Sequence, residues 1–122
     1  MALLINGKKV EANETIKQQI RVSAKKYGID PQLALAIAAV ESSFNPNARG
    51  KLGEIGLFQT MPGTCKQPGT DCALRLLKTY KTACKDLGDA WFICYNNGPH
   101  RRPKHPKLFP YYKKVKLAMR NV

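Results

Sequence analysis

The stretch Leu33-Ala34-Leu35-Ala36-Ile37-Ala38-Ala39-Val40-Glu41-Ser42-Ser43-Phe44-Asn45-Pro46 decides how this chain folds. Asp30-Pro31 ahead of it supplies a capping side chain and a proline suited to the first helical position. Asn45-Pro46 closes it, so a helix over 31–42 is expected. Its residues are apolar all round, a pattern that is stable in water only when every face is covered. This is the buried central helix. Glu41 ends it, at the lip of the core. A carboxyl group there is partly taken out of water, and desolvation disfavours its charged form, so its pKa rises. An acid that keeps its proton near neutral pH can protonate a leaving oxygen, the step that breaking a sugar–sugar bond requires. The plainer alternative is a last-turn Glu that points into solvent.

Around that helix the pattern stays helical. Ile16, Ile20, Val22 and Tyr27 form an incomplete apolar stripe for a helix over 15–27, with Thr15 and Gln18 as a capping box and Gly28 as its end. Residues 1–13 read as an arm lying across the surface. Gly50, Gly53 and Gly56 make 50–60 too glycine-rich for a helix and predict a tight loop with short extended pieces. A helix over 72–84 follows, with Asp71 as its cap and Leu74, Leu76, Leu77 and Tyr80 as its apolar face. Another over 87–95 carries Trp91, assigned to the core, and stops at Asn97-Gly98-Pro99. A Pro-interrupted basic loop over 99–110 leads to a last helix near 111–120.

The chain of 122 residues is expected to form a single domain, 1–122, around one core. No apolar run approaches the roughly 20 residues that span a bilayer. The start, Met1-Ala2-Leu3-Leu4-Ile5-Asn6-Gly7-Lys8-Lys9, does not read as a secretory signal. Formal charge is +13, from 21 Lys and Arg against 8 Asp and Glu, and no carboxylate side chain follows Asp89. Such a surface favours polyanions. Nucleic acid is the rival partner, but no zinc finger, aromatic–basic RNA-binding signature or phosphate loop supports it, and no specific nucleic acid is expected. Cys65, Cys72, Cys84 and Cys94 allow three pairings if oxidised and read equally well as buried small hydrophobes. Their spacing does not suit zinc, and neither a metal nor a cofactor is expected.

Four segments then fall in order: Glu41-Ser42; Gly56-Leu57-Phe58-Gln59 with Met61-Pro62 and Thr64; Tyr95-Asn96-Asn97-Gly98-Pro99; and Tyr111 with Lys114-Val115. Together they closely resemble the soluble lytic transglycosylase family, over roughly residues 15–118. Phe58 stands where Met is common, Thr60 replaces an aliphatic residue, Cys94 replaces an Ala, and His100-Arg101-Arg102 replaces a small-residue turn. The resemblance implies a mainly α, goose-type lysozyme-like domain with a small irregular Gly-rich loop or short β region. It implies cleavage of the β-1,4 bond between N-acetylmuramic acid and N-acetylglucosamine in peptidoglycan, closing a 1,6-anhydro ring without water. Glu41 would be the catalytic acid and then base.

The resemblance also assigns substrate contacts. Gln59 would offer its amide to the sugar, and Tyr95 would set its hydroxyl near Glu41 or the sugar. Asn96 would bind sugar or cap backbone, Tyr111 is the late family Tyr, and Ser42 would orient Glu41. Phe58 and Met61 would be apolar walls. Glu54, inside the Gly-rich loop, is the candidate second carboxylate that a water-using muramidase needs; Asp30, Asp71, Asp86 and Asp89 read as helix-end acids. A dead wall- or nucleic-acid-binding module is the remaining alternative. The basic tail would concentrate the enzyme on anionic glycan strands, and its last helix could also disturb anionic outer-membrane lipid. A monomeric bacteriophage-type enzyme is expected, an endolysin or virion component, made in the host cytoplasm and acting on the periplasmic wall.

Overall fold

The computed structural model describes the backbone of Ala2–Ile5 and Lys8–Glu11, and residues 14–67 and 69–122. Strands β1 (Ala2–Ile5) and β2 (Lys8–Glu11) pair antiparallel, with Ala2 opposite Glu11 and Ile5 opposite Lys8. The expectation that residues 1–13 lie across the surface falls outside the described residues.

Among the described residues, five α-helices make up the body: α1 (Glu14–Lys26), α2 (Pro31–Ser42), α3 (Thr70–Ala83), α4 (Ile93–Asn97) and α5 (Pro110–Met119). Helix α2 is the hub. Asp30 Oδ1 accepts from the backbone N–H of Gln32 at 2.9 Å, so the cap forms as the sequence requires. Every residue from Leu33 to Ala39 is buried. Removing Leu33, Leu35 and Ile37 from water stabilises the fold by about 2 kcal/mol each. Small alanines between them let α1 and α5 approach from two sides. No helix among the described residues is long and apolar enough to cross a membrane.

Helix α2 stops before Asn45-Pro46 is reached. Ser43 (φ 53°) and Phe44 (φ 61°) both take left-handed backbone, and the N–H of Ser43 closes the last turn on Ala39 O at 2.9 Å. Left-handed conformation is unfavourable for residues with a Cβ. Phe44 is compensated by being buried in the core, where its ring also faces the Lys17 ammonium at 5.7 Å.

Four local expectations need correction. Helix α1 begins at Glu14, so Thr15 lies inside the first turn and is not its cap. Val22 points outward, 58% exposed, because Ile20 and Ala24 supply the buried face. Asp71 does not cap α3, whose N-cap is Gly69. Instead it accepts from the Tyr27 hydroxyl at 2.9 Å and from Lys26 at 3.1 Å, tying α3 to the end of α1. These two donors hold the Asp71 carboxyl below its usual range. Finally, 87–95 is not one helix. A 3-10 segment, Lys85–Ala90, is kinked at Gly88 (φ 61°), and α4 starts only at Ile93.

The four cysteines form two disulfides, Cys65–Cys72 and Cys84–Cys94. Cys84 and Cys94 are fully buried. Their bridge closes the kinked segment against α4, the element that carries Tyr95 and Asn96. The expected irregular loop over 50–60 forms and extends back to 48, with Ile55 bridging both Arg49 and Thr60. Gly56 (φ 79°) turns the chain there and donates to Ala48 O at 3.0 Å.

Candidate active site

Glu41 is placed by α2 and by what stops α2. The buried apolar turns below anchor it, and the left-handed exit at Ser43 and Phe44 turns the chain away and opens space beside its carboxyl. That space is a cleft of about 400 Å³ lined by Val40, Glu41, Asn96, Phe109, Pro110, Tyr111 and Lys114. Helices α2, α4 and α5 thus meet there. Among the described residues, Glu41 is the only acid lining it.

Tyr111 is buried, and its hydroxyl donates to Glu41 Oε2 at 2.8 Å. Burial pushes the Glu41 carboxyl above its ordinary value of 4.5; the Tyr111 hydroxyl pulls it part of the way back, and the negative charge of Glu54 pushes it up again. Burial and the nearby Glu41 charge raise the Tyr111 phenol well above its usual range, so Tyr111 stays protonated and acts as a donor. The result is an acid that lines the cleft and is oriented by one hydrogen bond from Tyr111. A carboxyl raised in this way holds its proton more readily than one in open water.

A second group of expected residues braces this site from behind. Ser42 Oγ donates to Leu57 O at 2.7 Å and to Ala38 O at 3.1 Å, fastening the end of α2 to the Gly-rich loop. Tyr95 donates its hydroxyl to Phe58 O and packs edge-on against Tyr80, fastening α4 to the same loop. Burial raises the Tyr95 phenol, with the Glu41 charge adding to it. Asn96 is exposed at the cleft, and Gly98 (φ 85°) ends α4 with its N–H on Cys94 O at 2.9 Å.

The loop residues are placed differently from the expectation. Gln59 Nε2 donates to Gly56 O at 2.8 Å and Ala48 O at 3.1 Å, so its amide N–H groups hold the loop's own backbone. Phe58 does not line this cleft: it is buried, 2% exposed, beside a separate smaller pocket with Ile55, Leu57 and Thr60, and its carbonyl accepts from Tyr95 while that of Leu57 accepts from Ser42. Met61 is 47% exposed and does not line the cleft. Glu54 is also absent from the lining; its Oε1 accepts from the backbone N–H of Leu52 at 2.7 Å. It acts on Glu41 through charge. Phe109, Pro110 and Lys114 were not singled out as cleft residues from sequence. The signal was the spacing Tyr111-x-x-Lys114, which puts both on one face of a helix.

Residues 18–75 match the family model described as the Transglycosylase SLT domain. The chain is 33% identical over 101 residues, 75% of its length, to the endo-type membrane-bound lytic murein transglycosylase A of Klebsiella pneumoniae, of which it covers 48%. It is 51% identical over 45 residues, 37% of its length, to the membrane-bound lytic murein transglycosylase C of Actinobacillus pleuropneumoniae, covering 12% of that protein. The same identity and span relate it to the Haemophilus influenzae protein of that name, of which it covers 13%. The chain therefore spans about half the length of the first of these relatives and about an eighth of the other two. The matched stretch contains α2, Glu41 and the Gly-rich loop, so residues 18–75 are similar to a Transglycosylase SLT domain, and the described fold is mainly helical and lysozyme-like.

Proposed function

We propose that the protein is a peptidoglycan lytic transglycosylase with Glu41 as its single catalytic residue. The observation that carries this reading is the cleft itself: one acid, raised in pKa by burial, held by a buried tyrosine hydroxyl. Protonated Glu41 gives its proton to the oxygen bridging muramic acid and N-acetylglucosamine. The bond from that oxygen to the anomeric carbon breaks, and the substrate's own acetamido group shields the cation. Glu41, now a carboxylate, takes the proton of the C6 hydroxyl as O6 bonds to the anomeric carbon. A 1,6-anhydro end results, no water is consumed, and the acid is returned to its starting form. Tyr111 keeps the carboxyl aimed through both transfers, and Asn96 is the exposed polar group beside it.

Mass analysis of peptidoglycan digested by the protein tests the reading. Anhydro ends are expected, while uncleaved wall would remove the enzymatic proposal. One observation favours a second reading: the Glu54 charge acts on Glu41. A muramidase using Glu54 with water would give reducing ends instead. The backbone N–H of Leu52 already occupies Glu54, which supports the single-acid route.

The same proposal extends to setting, on the strength of the +13 charge. A monomeric phage-type enzyme, made in the host cytoplasm and acting on the periplasmic wall as an endolysin or virion component, would use that charge to concentrate on anionic glycan. Contact of α5 with anionic outer-membrane lipid is part of it. Tyr111, Val115 and Ala118 turn inward, leaving basic residues and Leu117, 59% exposed, on the outer side. Lys113→Glu with Arg120→Glu should reduce lysis of intact Gram-negative cells while purified wall is still digested; equal loss on both would refute the lipid contact.

A further inference from the structure

Lys114 is the only cation among the residues lining the cleft that holds Glu41. It stands three residues after Tyr111 in α5, so both side chains leave the same face of the helix. Buried Tyr111, Val115 and Ala118 fix that face against the body, while Lys114 is exposed. Among the described residues, seven cations elsewhere face acids, while others on the open surface do not; Lys114 is set apart by its place at the cleft. Lys17 and Arg21 face Glu14, and Lys26 and Arg75 face Asp71. Arg102 faces Asp86, and Lys107 and Lys116 share Asp89. Among the described residues, Lys114 has no such partner. Nor does Glu41 serve as one: its carboxyl is held by Tyr111, and the charge acting on it is that of Glu54. An ammonium group at an open cleft, with no acid of its own, is available to an anion that enters.

We propose that Lys114 is a specificity-determining residue that binds a carboxylate of the glycan strand beside the bond Glu41 would cleave. The inference rests on the proposed function for its substrate class. Muramic acid carries a lactyl arm. When bare, the arm ends in a carboxylate; when substituted, it carries a peptide whose carboxylates hang alongside the strand. Either source offers the same chemistry, and a lysine point charge can meet either without strict geometry. An oligomer of N-acetylglucosamine alone offers none.

The test is binding to the uncleaving variant. Titration calorimetry would compare Glu41→Gln with the double variants Glu41→Gln/Lys114→Gln and Glu41→Gln/Lys114→Arg. Three ligands serve: peptide-bearing strands, amidase-stripped strands with free lactyl carboxylates, and hexameric N-acetylglucosamine. Lys114→Gln should weaken the anionic strands about fivefold, as expected for one partly exposed ion pair, and Lys114→Arg should recover most of it. The loss should shrink in high salt. Loss confined to peptide-bearing strands assigns the stem peptide; loss on stripped strands too assigns the lactyl carboxylate. No loss on either, or equal loss on the neutral hexamer, overturns the proposal. The reaction itself is read separately, from cleavage of whole wall by the wild-type chain, so failure of cleavage and failure of Lys114 are distinguishable.

Discussion

The two regions around Glu41, the helical wall that lines the cleft and a loop wall that lies behind it and outside its lining, are built in opposite ways. On one side α2 and α5 present a packed helical surface in which Leu33 to Ala39, Tyr111, Val115 and Ala118 are all buried. On the other, residues 48–60 are held by hydrogen bonds to their backbone, from one another and from the side chains of Ser42, Tyr95 and Gln59, and include left-handed residues, Gln59 at φ 51° among them. The helical wall sets the chemistry: it supplies the acid, its desolvation and its hydrogen-bond donor. The loop wall receives support and does not give it, because Ser42 and Tyr95 both donate into its carbonyls. A mutation on the first wall should change acidity and rate; one on the second should change geometry and stability.

The largest expected effect breaks the helical wall's chemistry. Glu41→Gln removes the proton donor while keeping size and an acceptor for Tyr111, and turnover of peptidoglycan should fall by about 10²–10⁴-fold or more. Stability should move the other way. Because the folded pKa of Glu41 is raised, its favourable share is complete below the ordinary value of 4.5 and is lost as pH rises through the folded value. The variant is free of that loss, so its melting temperature should equal or exceed the wild type's at pH 7, with the gap closing towards pH 4. A variant that melts far lower at pH 7 would show that the carboxylate is a structural group.

Tyr111→Phe should act on the same wall more gently. The hydroxyl lowers the Glu41 pKa, so its removal should raise it further and carry the alkaline limb of the pH–rate profile to higher pH. Rate at the optimum should drop about tenfold, as the carboxyl loses its fixed aim. An unmoved alkaline limb would break the link between this hydrogen bond and the acid.

How far the sequence disclosed these two walls follows from their physics. The helical wall was legible because its signals are local and periodic: an all-round apolar run, Asp30-Pro31 at one end, Glu41 at the other. Its bounds, 31–42, agree with the helix observed. The loop wall was legible only as a loop. Three glycines foretell irregular backbone, but they do not say which carbonyls the chain's own donors will take. Gln59 and Phe58 were therefore expected to face substrate, while the structure turns one amide and one ring inward. The cysteine pairing was closed to sequence for the same reason, since three pairings share one spacing. Lys114 fell between these cases: its spacing from Tyr111 was on the page, but which face α5 turns to Glu41 depends on tertiary packing.

The loop wall is probed by Tyr95→Phe. The change leaves Phe58 O without its donor, and an unsatisfied buried carbonyl costs about 1–3 kcal/mol. Chemical denaturation should show that loss of stability. Because Tyr95 acts from behind the cleft, the pH optimum should stay where it is and activity should fall only a few-fold. A pH optimum that shifts by as much as in Tyr111→Phe would erase the division between the two walls.

The smallest expected effect is also the sharpest, because it crosses from one wall to the other. Glu54 belongs to the loop, outside the cleft lining, yet its charge raises the Glu41 pKa. Glu54→Gln keeps the acceptor for the Leu52 N–H while removing that charge, so the Glu41 pKa should fall and the alkaline limb should move to lower pH, opposite in sign to Tyr111→Phe. Below that limb Glu41 is protonated in both proteins and the rates should agree within about twofold, since a charge acting at a distance through partly solvated space is screened. The two substitutions together should leave the limb nearer the wild-type position than either alone. A rate loss of 10²-fold or more in Glu54→Gln at every pH would instead mean that Glu54 takes part in bond cleavage, and the products would then carry reducing ends.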